Sequence, residues 1–383
     1  KRITKRHEVE SPYIKALLKE WALYGKLVGE RPKLKELHLG GGTPTFFAPD
    51  NLNLLITELL KTVELMPDAE MSFEGHPNNT TREHLQVLYN LGFRRVSFGV
   101  QDYNPTVQKA INRIQSFEQV DKITRLARSI GYTSVGHDLI FGLPFQTKDD
   151  MQRTIGLTRQ IMPDRIALYS YAHVPWIKGN GQRGFKDEDL PSADEKRVQY
   201  ELAKKMLIAA GYFEIGMDHF ALPDDTLAQA MYSGELHRNF MGYTAAKSYA
   251  MIGLGVSAIS DSWQGFAQNA KSLEDYYRLL DLDRIPVFRG HILNQEDLII
   301  RQHILNLMCQ FRTSWKKGEL QFSDLDEVKD RLEEFKTDGL VYFEGDSLVV
   351  TKNGRPFIRN ICMAFDLLLQ RQQPETKLFS MTI

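Results

Sequence analysis

Short β-type runs recur along the first two thirds of the chain, at 34–39, 70–74, 95–100, 134–141, 165–171 and 213–217. Between them the apolar positions change period. Leu52, Leu55, Ile56, Leu59 and Leu60 fall at the i, i+3, i+4, i+7 spacing of one helical face, as do Leu85, Leu88 and Tyr89; Val198, Leu202 and Met206 recur every fourth residue. Strands separated by helices predict crossover connections, and so a parallel sheet. Six such units predict a sheet that closes, or nearly closes, into a (β/α) barrel. The pattern changes after Pro286. Residues 295–310 and 322–337 read as helices, the second with Ser323-Asp324-Leu325-Asp326 as its capping start. Two β runs, 339–343 and 347–351, flank the turn Glu344-Gly345-Asp346, and a last helix is predicted over 356–370. The expectation is an α/β chain of two domains. A barrel covers 1–285, and a mostly helical, winged-helix-like domain carrying a β-hairpin covers 286–383, with a linking turn at 283–289.

Composition narrows the function classes. The 383 residues fit a barrel of about 250 residues plus a second domain. A formal net charge of −1 gives no electrostatic case for nucleic acid or an anionic membrane. The 324–334 segment is acidic, which argues against the winged-helix-like region approaching DNA. No apolar run nears the roughly 20 residues that span a bilayer. The charged segment 1–10 lacks a signal-peptide core, so a cytoplasmic location is expected. Cys309 and Cys362 are the sole cysteines, too few for a disulfide framework or a cysteine-ligated iron–sulfur cluster.

In a parallel barrel the chemistry lies at the C-terminal strand ends. Here the first run enters Gly40-Gly41-Gly42-Thr43-Pro44-Thr45, a stretch whose bare backbone can approach a carboxylate, an ammonium group or a phosphate. The second ends at Glu74-Gly75-His76, the third at Gln101-Asp102, the fourth carries Asp138, the fifth ends at Tyr171-Ala172-His173 and the sixth at Asp218-His219. Glu74 can accept from an ammonium or hydroxyls, and Arg113 can clamp a carboxylate. Each has a plainer reading as a structural carboxylate or a surface arginine. Gly253-Leu254-Gly255-Val256-Ser257-Ala258 loosely fits a dinucleotide fingerprint but lacks a βαβ context. His76, His137, His173 and His219 invite a metal-hydrolase reading. His137 and Asp138 are adjacent, however, so both cannot face the barrel centre.

Several segments together resemble the oxygen-independent coproporphyrinogen III oxidases, or coproporphyrinogen dehydrogenases, of the radical S-adenosylmethionine (SAM) superfamily. They are LHLGGGTPTF at 37–46, SFGVQD at 97–102, DLIFGLP at 138–144, YSYAHVP at 169–175, GMDHFALPDD at 216–225, HRNF at 237–240 and RNICM at 359–363. The glycine motif is shared across radical SAM proteins; YAHVP, GMDHF and RNICM are more specific. The resemblance implies an incomplete parallel barrel with a C-terminal helical domain, and two bound SAM molecules. By position, Gly41, Glu74 and Ile259 match contacts of one SAM, and Gly42, Thr43, Gln101, Arg113, Asp138 and Ala172 those of the second. His76 departs from the family pattern, which more often has Asp after the strand-end Glu.

The implied reaction is the anaerobic oxidative decarboxylation of two propionates of coproporphyrinogen III to vinyl groups, giving protoporphyrinogen IX. A propionate β-hydrogen has no useful acidity, and general-base catalysis supplies only about 10²–10⁴-fold, so a cofactor radical is needed. A reduced [4Fe–4S] cluster cleaves SAM to the 5′-deoxyadenosyl radical that takes this hydrogen; carbon dioxide and one electron then leave. The family's CxxxCxxC cluster motif lies just upstream of a stretch like residues 1–5. The cluster's cysteines are thus expected before Lys1, in residues missing from this chain. An electron donor is implied as partner, and a monomer is the family-like expectation. Arg238, Arg289 and His219 are candidates to meet the substrate carboxylates. The competing readings are a haem- or porphyrin-binding trafficking protein on the same scaffold, and a barrel metal hydrolase.

Overall fold

The computed structural model describes residues 6–173, 185–316 and 320–372; residues 1–5, and Val174 and Pro175 of the quoted motifs, lie outside the described residues. Seven strands form one sheet: β1 (Lys33–Leu39), β2 (Glu64–Gly75), β3 (Arg95–Gln101), β4 (Ser134–Phe141), β5 (Arg165–Ser170), β6 (Phe213–Gly216) and β7 (His219–Ala221). Their order is β1-β2-β3-β4-β5-β7-β6, so the barrel is incomplete, with β1 and β6 as edges. β1 and β3 both run parallel to β2. The sixth predicted strand is a hairpin. β7 inserts between β5 and β6, antiparallel to both, and Asp218 takes the turn with φ +62°. Two antiparallel steps restore direction, so β6 runs with β5 and the Met217-Asp218 turn stays at the C-terminal strand ends.

The chain divides into two compact units. The first holds the described residues of Lys1–Val100, together with Phe117–His137 and Ala246–Leu293. Its helices are α1 (Glu10–Val28), α2 (Pro49–Leu60) and α3 (Arg82–Asn90); α4 (Pro105–Ala110) belongs to the other unit, and α5 (Phe117–Ile130) again to the first. Ile14 and Leu17 of α1, Leu52, Leu55, Ile56 and Leu59 of α2, and Leu85 and Leu88 of α3 pack on Met71, Phe73, Val96 and Phe98. The predicted faces of α2 and α3 are therefore the buried ones. Each fully buried aliphatic or aromatic side chain contributes roughly 1.5–3 kcal/mol.

The second unit holds Gln101–Ser116, Asp138–Ala245 and the described part of Asn294–Ile383. It contains α6 (Lys148–Ile161), α7 (Ala193–Ala209), α8 (Thr226–Ser233) and the short hairpin β8 (His237–Asn239)–β9 (Gly242–Thr244). On α7 the buried face is Gln199, Tyr200, Ala203 and Leu207, whereas the predicted Val198 is 47% exposed. A polar residue occupies the face because the Gln199 side chain accepts from Gly142 N–H and donates to the Gln146 carbonyl, which hydropathy does not anticipate.

The first unit also has an unforeseen antiparallel sheet, β10 (Ile259–Asp261), β11 (Gly265–Asn269) and β12 (Val287–Ile292), with α9 (Leu273–Asp281) between the last two strands. The expected linker at 283–289 is thus a turn only as far as Pro286. In the second unit, α10 (Gln295–Gln310) matches its prediction. Next come β13 (Arg312–Ser314), an unpredicted strand, and α11 (Leu325–Thr337). α11 lacks a side-chain N-cap, because Asp324 instead accepts from Arg371 at 2.7 Å. The predicted hairpin is β14 (Val341–Glu344) and β15 (Ser347–Val350), antiparallel across Gly345-Asp346. The last helix is broken into α12 (Ile358–Met363) and α13 (Leu367–Gln372). Together with Ile215, Ala221, Leu227 and Tyr243, these C-terminal elements form a single core.

Candidate active site

In the first unit, β1 and β2 place Leu37 and Leu39 opposite Met71 and Phe73 on the core side. Alternation puts His38, Ser72 and Glu74 on the other face. His38 Nδ1 lies 2.8 Å from Ser72 Oγ, and its Nε2 lies 3.7 Å from Glu74 Oε1. The glycine run begins directly above this pair. A Cβ on Gly40 would come within 2.7 Å of His38 Nε2 and 3.0 Å of Glu74 Oε1, and Gly41 has φ +78°. The first glycine leaves room for the two side chains, and the second makes the turn. The loop then closes on itself: Phe46 N–H donates to the Thr43 carbonyl and buried Thr45 shares a hydrogen bond with Thr80 at 3.0 Å. Glu10 of α1 fixes its far end, accepting from Ala48 N–H at 2.8 Å and Asn51 Nδ2 at 2.6 Å. Burial raises the Glu10 pKa, but these donors and His7 outweigh it and hold the carboxyl below its ordinary range.

Ile259 opens β10 and is held from behind. Glu20, fully buried in α1, accepts from Gly255 N–H at 2.8 Å, Asn269 Nδ2 at 2.6 Å and the Tyr276 hydroxyl at 2.6 Å. The loop 253–258 leads into a strand and not a helix, so the weak dinucleotide fingerprint is no nucleotide turn. Its glycines have packing causes: a Cβ on Gly253 would collide with the Ile259 carbonyl oxygen, and one on Gly255 would meet the Tyr13 hydroxyl at 2.6 Å.

In the second unit, a buried amide network fixes the loop that carries Gln101 and Arg113. Asp102 is fully buried and accepts from Asn104 N–H at 2.6 Å, Gln146 Nε2 at 2.7 Å and Thr154 Oγ1 at 3.0 Å. Gln108 donates to the carbonyls of Asp102 and Gln115, and Arg113 N–H donates to the Gln108 carbonyl at 2.8 Å. Gln146 also donates to the Ile140 carbonyl, tying this loop to the segment that begins at Asp138. Gln101 itself has φ +68°, uncommon for a side-chain-bearing residue. Ala172 is exposed, just after Tyr171 N–H donates to the Phe141 carbonyl at 2.8 Å. Sequence reasoning missed His38 and the Asp102–Gln146 network. His38 stands two residues before the glycines, on the same face as Glu74, and strand alternation was the signal that could have found it.

Burial pushes Asp102 up to about 6 against its three donors. The folded value lies above the unfolded one, so the group's stabilising contribution is full below about pH 4 and is lost as pH rises through about 6, amounting to about 3 kcal/mol. The stability of Asp102→Asn is expected to fall less between pH 4 and 7 than that of the native chain, as measured by urea unfolding. Equal slopes would assign the pH dependence to other carboxyls.

The metal-hydrolase alternative finds no ligand cluster: among the described residues no three His, Cys, Asp or Glu side chains come together to hold an ion. His137 is fully buried against Thr124 of α5, 2.9 Å away, and burial pushes it down to about 3. It faces the helices, which leaves Asp138 on the opposite face of β4.

Known proteins decide the family. The Radical SAM superfamily description matches residues 8–158. The chain is 38% identical to the oxygen-independent coproporphyrinogen III oxidase of Synechocystis, covering 100% of this chain and 83% of that protein. It is 39% identical to the Escherichia coli protein of the same name, covering 100% and 84%. The chain belongs to the oxygen-independent coproporphyrinogen III oxidase family. The solved coproporphyrinogen III oxidase HemN of Escherichia coli, a radical SAM enzyme, superposes with a TM-score of 0.91 at 38% identity, over 96% of this chain and 86% of that one. The family fold therefore accounts for the incomplete barrel. Among the described residues, no helix is long and apolar enough to cross a membrane.

Proposed function

We propose that this chain performs the oxygen-independent conversion of coproporphyrinogen III to protoporphyrinogen IX in haem biosynthesis, decarboxylating two propionates to vinyl groups. The observation that carries this reading is likeness to coproporphyrinogen III oxidases over the whole of this chain and more than four fifths of theirs, joined to the same fold. In this reading residues 1–285 are the catalytic barrel and 286–383 the C-terminal domain, in a cytoplasmic monomer served by an electron donor.

The residues present fit SAM. The glycine loop offers bare backbone beside a carboxylate, which suits an amino acid's carboxylate and ammonium. Gly41, Glu74 and Ile259 are assigned to one SAM; Gly42, Thr43, Gln101, Arg113, Asp138 and Ala172 to a second. The cysteines present do not fit the cluster. Cys309 and Cys362 are buried, and burial pushes both thiols up to about 12, whereas cluster ligation requires thiolates. The chain's own contribution is to orient SAM and substrate and to exclude water. Bound SAM, with a reduced cluster, supplies the hydrogen abstraction that no side-chain base can achieve at an unactivated carbon.

The test is anaerobic incubation of the full-length protein with reductant, SAM and coproporphyrinogen III, followed by mass spectrometry. Stepwise loss of two carboxyl groups is expected. Unchanged porphyrin with an intact cluster, together with stable haem binding, would replace this reading with the trafficking one.

A further inference from the structure

The second unit contains a polar cluster that the SAM assignment does not use. It is built on the β6–β7 turn and the β8–β9 hairpin. His219 donates from Nδ1 to the Met217 carbonyl at 2.8 Å, so its Nε2 carries the lone pair; the Tyr169 hydroxyl stands 3.5 Å from it. Tyr243 packs edge-on against His219 with ring centroids 5.3 Å apart. Its hydroxyl is committed, donating to the Met308 carbonyl at 2.9 Å and accepting from Met217 N–H at 3.2 Å. Arg238 pairs with Tyr243 across the hairpin and lays its guanidinium over the ring, 4.9 Å from the centroid. The ring thus contacts both the arginine and the histidine. Asp218 and Arg359 complete the group. Burial pushes the Asp218 carboxyl up to about 6, with Arg359 and Arg238 opposing that rise and Glu214 adding to it.

One atom in this cluster is unexplained. Arg238 Nη1 is buried with no hydrogen-bond partner among the described residues. A buried N–H on a permanent cation carries its full desolvation penalty unless something accepts from it. The guanidinium fork matches a carboxylate, and a backing aromatic ring preorganises it. The other two cationic candidates from the sequence do not compete. Arg289 lies on exposed β12 in the other unit, donating to Gln268 Oε1 at 2.9 Å. His219 is neutral near neutral pH, because burial pushes it down to about 4; its Nε2 accepts hydrogen bonds and is no cation.

We propose that Arg238 is the anchor for one carboxylate of the substrate, a propionate of the tetracarboxylate tetrapyrrole, with Tyr243 as its rigid backing. His219 then offers a neutral acceptor beside the bound anion, suited to an N–H donor such as a pyrrole. This assignment rests on the function proposed above and specifies which side chain selects for the substrate's acid groups.

The experiment titrates coproporphyrin III, and separately its tetramethyl ester in detergent, into the full-length reconstituted protein and its Arg238→Gln and Arg238→Lys variants, followed by fluorescence. SAM binding is measured in parallel as a control on folding. Arg238→Gln is expected to weaken the free acid by roughly 30-fold or more, from the loss of a desolvated charge-assisted contact, and to leave ester and SAM affinities unchanged. Arg238→Lys is expected to fall between, keeping the charge without the fork. Unchanged affinity for the acid in either variant overturns the assignment. So does equal weakening of acid and ester, which marks a structural role. A native protein that neither binds coproporphyrin nor converts coproporphyrinogen removes the functional reading itself, and the anchor with it.

Discussion

Replacing Glu74 with alanine is expected to weaken SAM binding by roughly 30- to 5000-fold and to stop 5′-deoxyadenosine formation, with little change in stability. The carboxylate stands at the C-terminal end of β2, on the face opposite the core, with its side chain 43% exposed. Its near neighbours are the His38 ring, 3.7 Å away, and the glycine loop. Truncating the partner of a bound ammonium typically costs about 2–5 kcal/mol of binding. A half-exposed carboxylate outside the core contributes within about 0.5 kcal/mol to folding. Glu74→Gln keeps an acceptor without the charge and is expected to lie between. The checks are SAM binding at equilibrium, 5′-deoxyadenosine by chromatography, and thermal unfolding. A Glu74→Ala variant that binds SAM like the native protein would move the amine contact elsewhere, and the neighbouring His76 would be the next residue to change.

The largest loss of stability is expected from Glu20→Ala, about 3–5 kcal/mol. Glu20 is the buried hub of the loop before Ile259. Three donors, Gly255 N–H, Asn269 Nδ2 and the Tyr276 hydroxyl, point at its two oxygens. Alanine strands all three in an interior that water does not reach, at about 1–3 kcal/mol for each donor left unsatisfied, offset by partial relaxation. Burial raises the Glu20 carboxyl above its ordinary value, with the three hydrogen bonds opposing. Its folded value therefore exceeds the unfolded one. The stability linked to its ionisation is full at low pH and is lost as pH rises through the folded value. Glu20→Gln, with one oxygen for three donors, is expected to cost less than alanine and to remove that pH term. Denaturant unfolding of the three proteins at several pH values checks both statements. A loss below about 1 kcal/mol in Glu20→Ala would mean that the loop repacks without its hub.

How legible the protein was depended on the range of the interactions involved. The strands 95–100 and 134–141 and the helix 295–310 were placed correctly because period and length are local signals that burial on one face imposes. The hairpin around Gly345-Asp346 was read from its turn chemistry. The burial of α7 was misread because Gln199 is stabilised inside by Gly142 and Gln146, 57 and 53 residues away, and hydropathy treats every glutamine as exposed.

The sequence by itself determined which groups end the strands, because a parallel sheet carries each C-terminal end to one side whatever the details of packing. It also bounded the chemistry: two cysteines cannot hold a cluster, and a net charge of −1 gives no electrostatic case for a polyanion. Only the tertiary structure decided that β7 inserts between β5 and β6, that His38 shares a face with Glu74, and that Glu20 meets Tyr276 across 256 residues. It also sorted the three candidate cations, pairing Arg289 with Gln268, pushing the His219 pKa down through burial and leaving Arg238 Nη1 without an acceptor among the described residues. The reason is physical. A residue's charge state and its unmet hydrogen bonds depend on what packs around it in space, and that neighbourhood is drawn from distant parts of the chain.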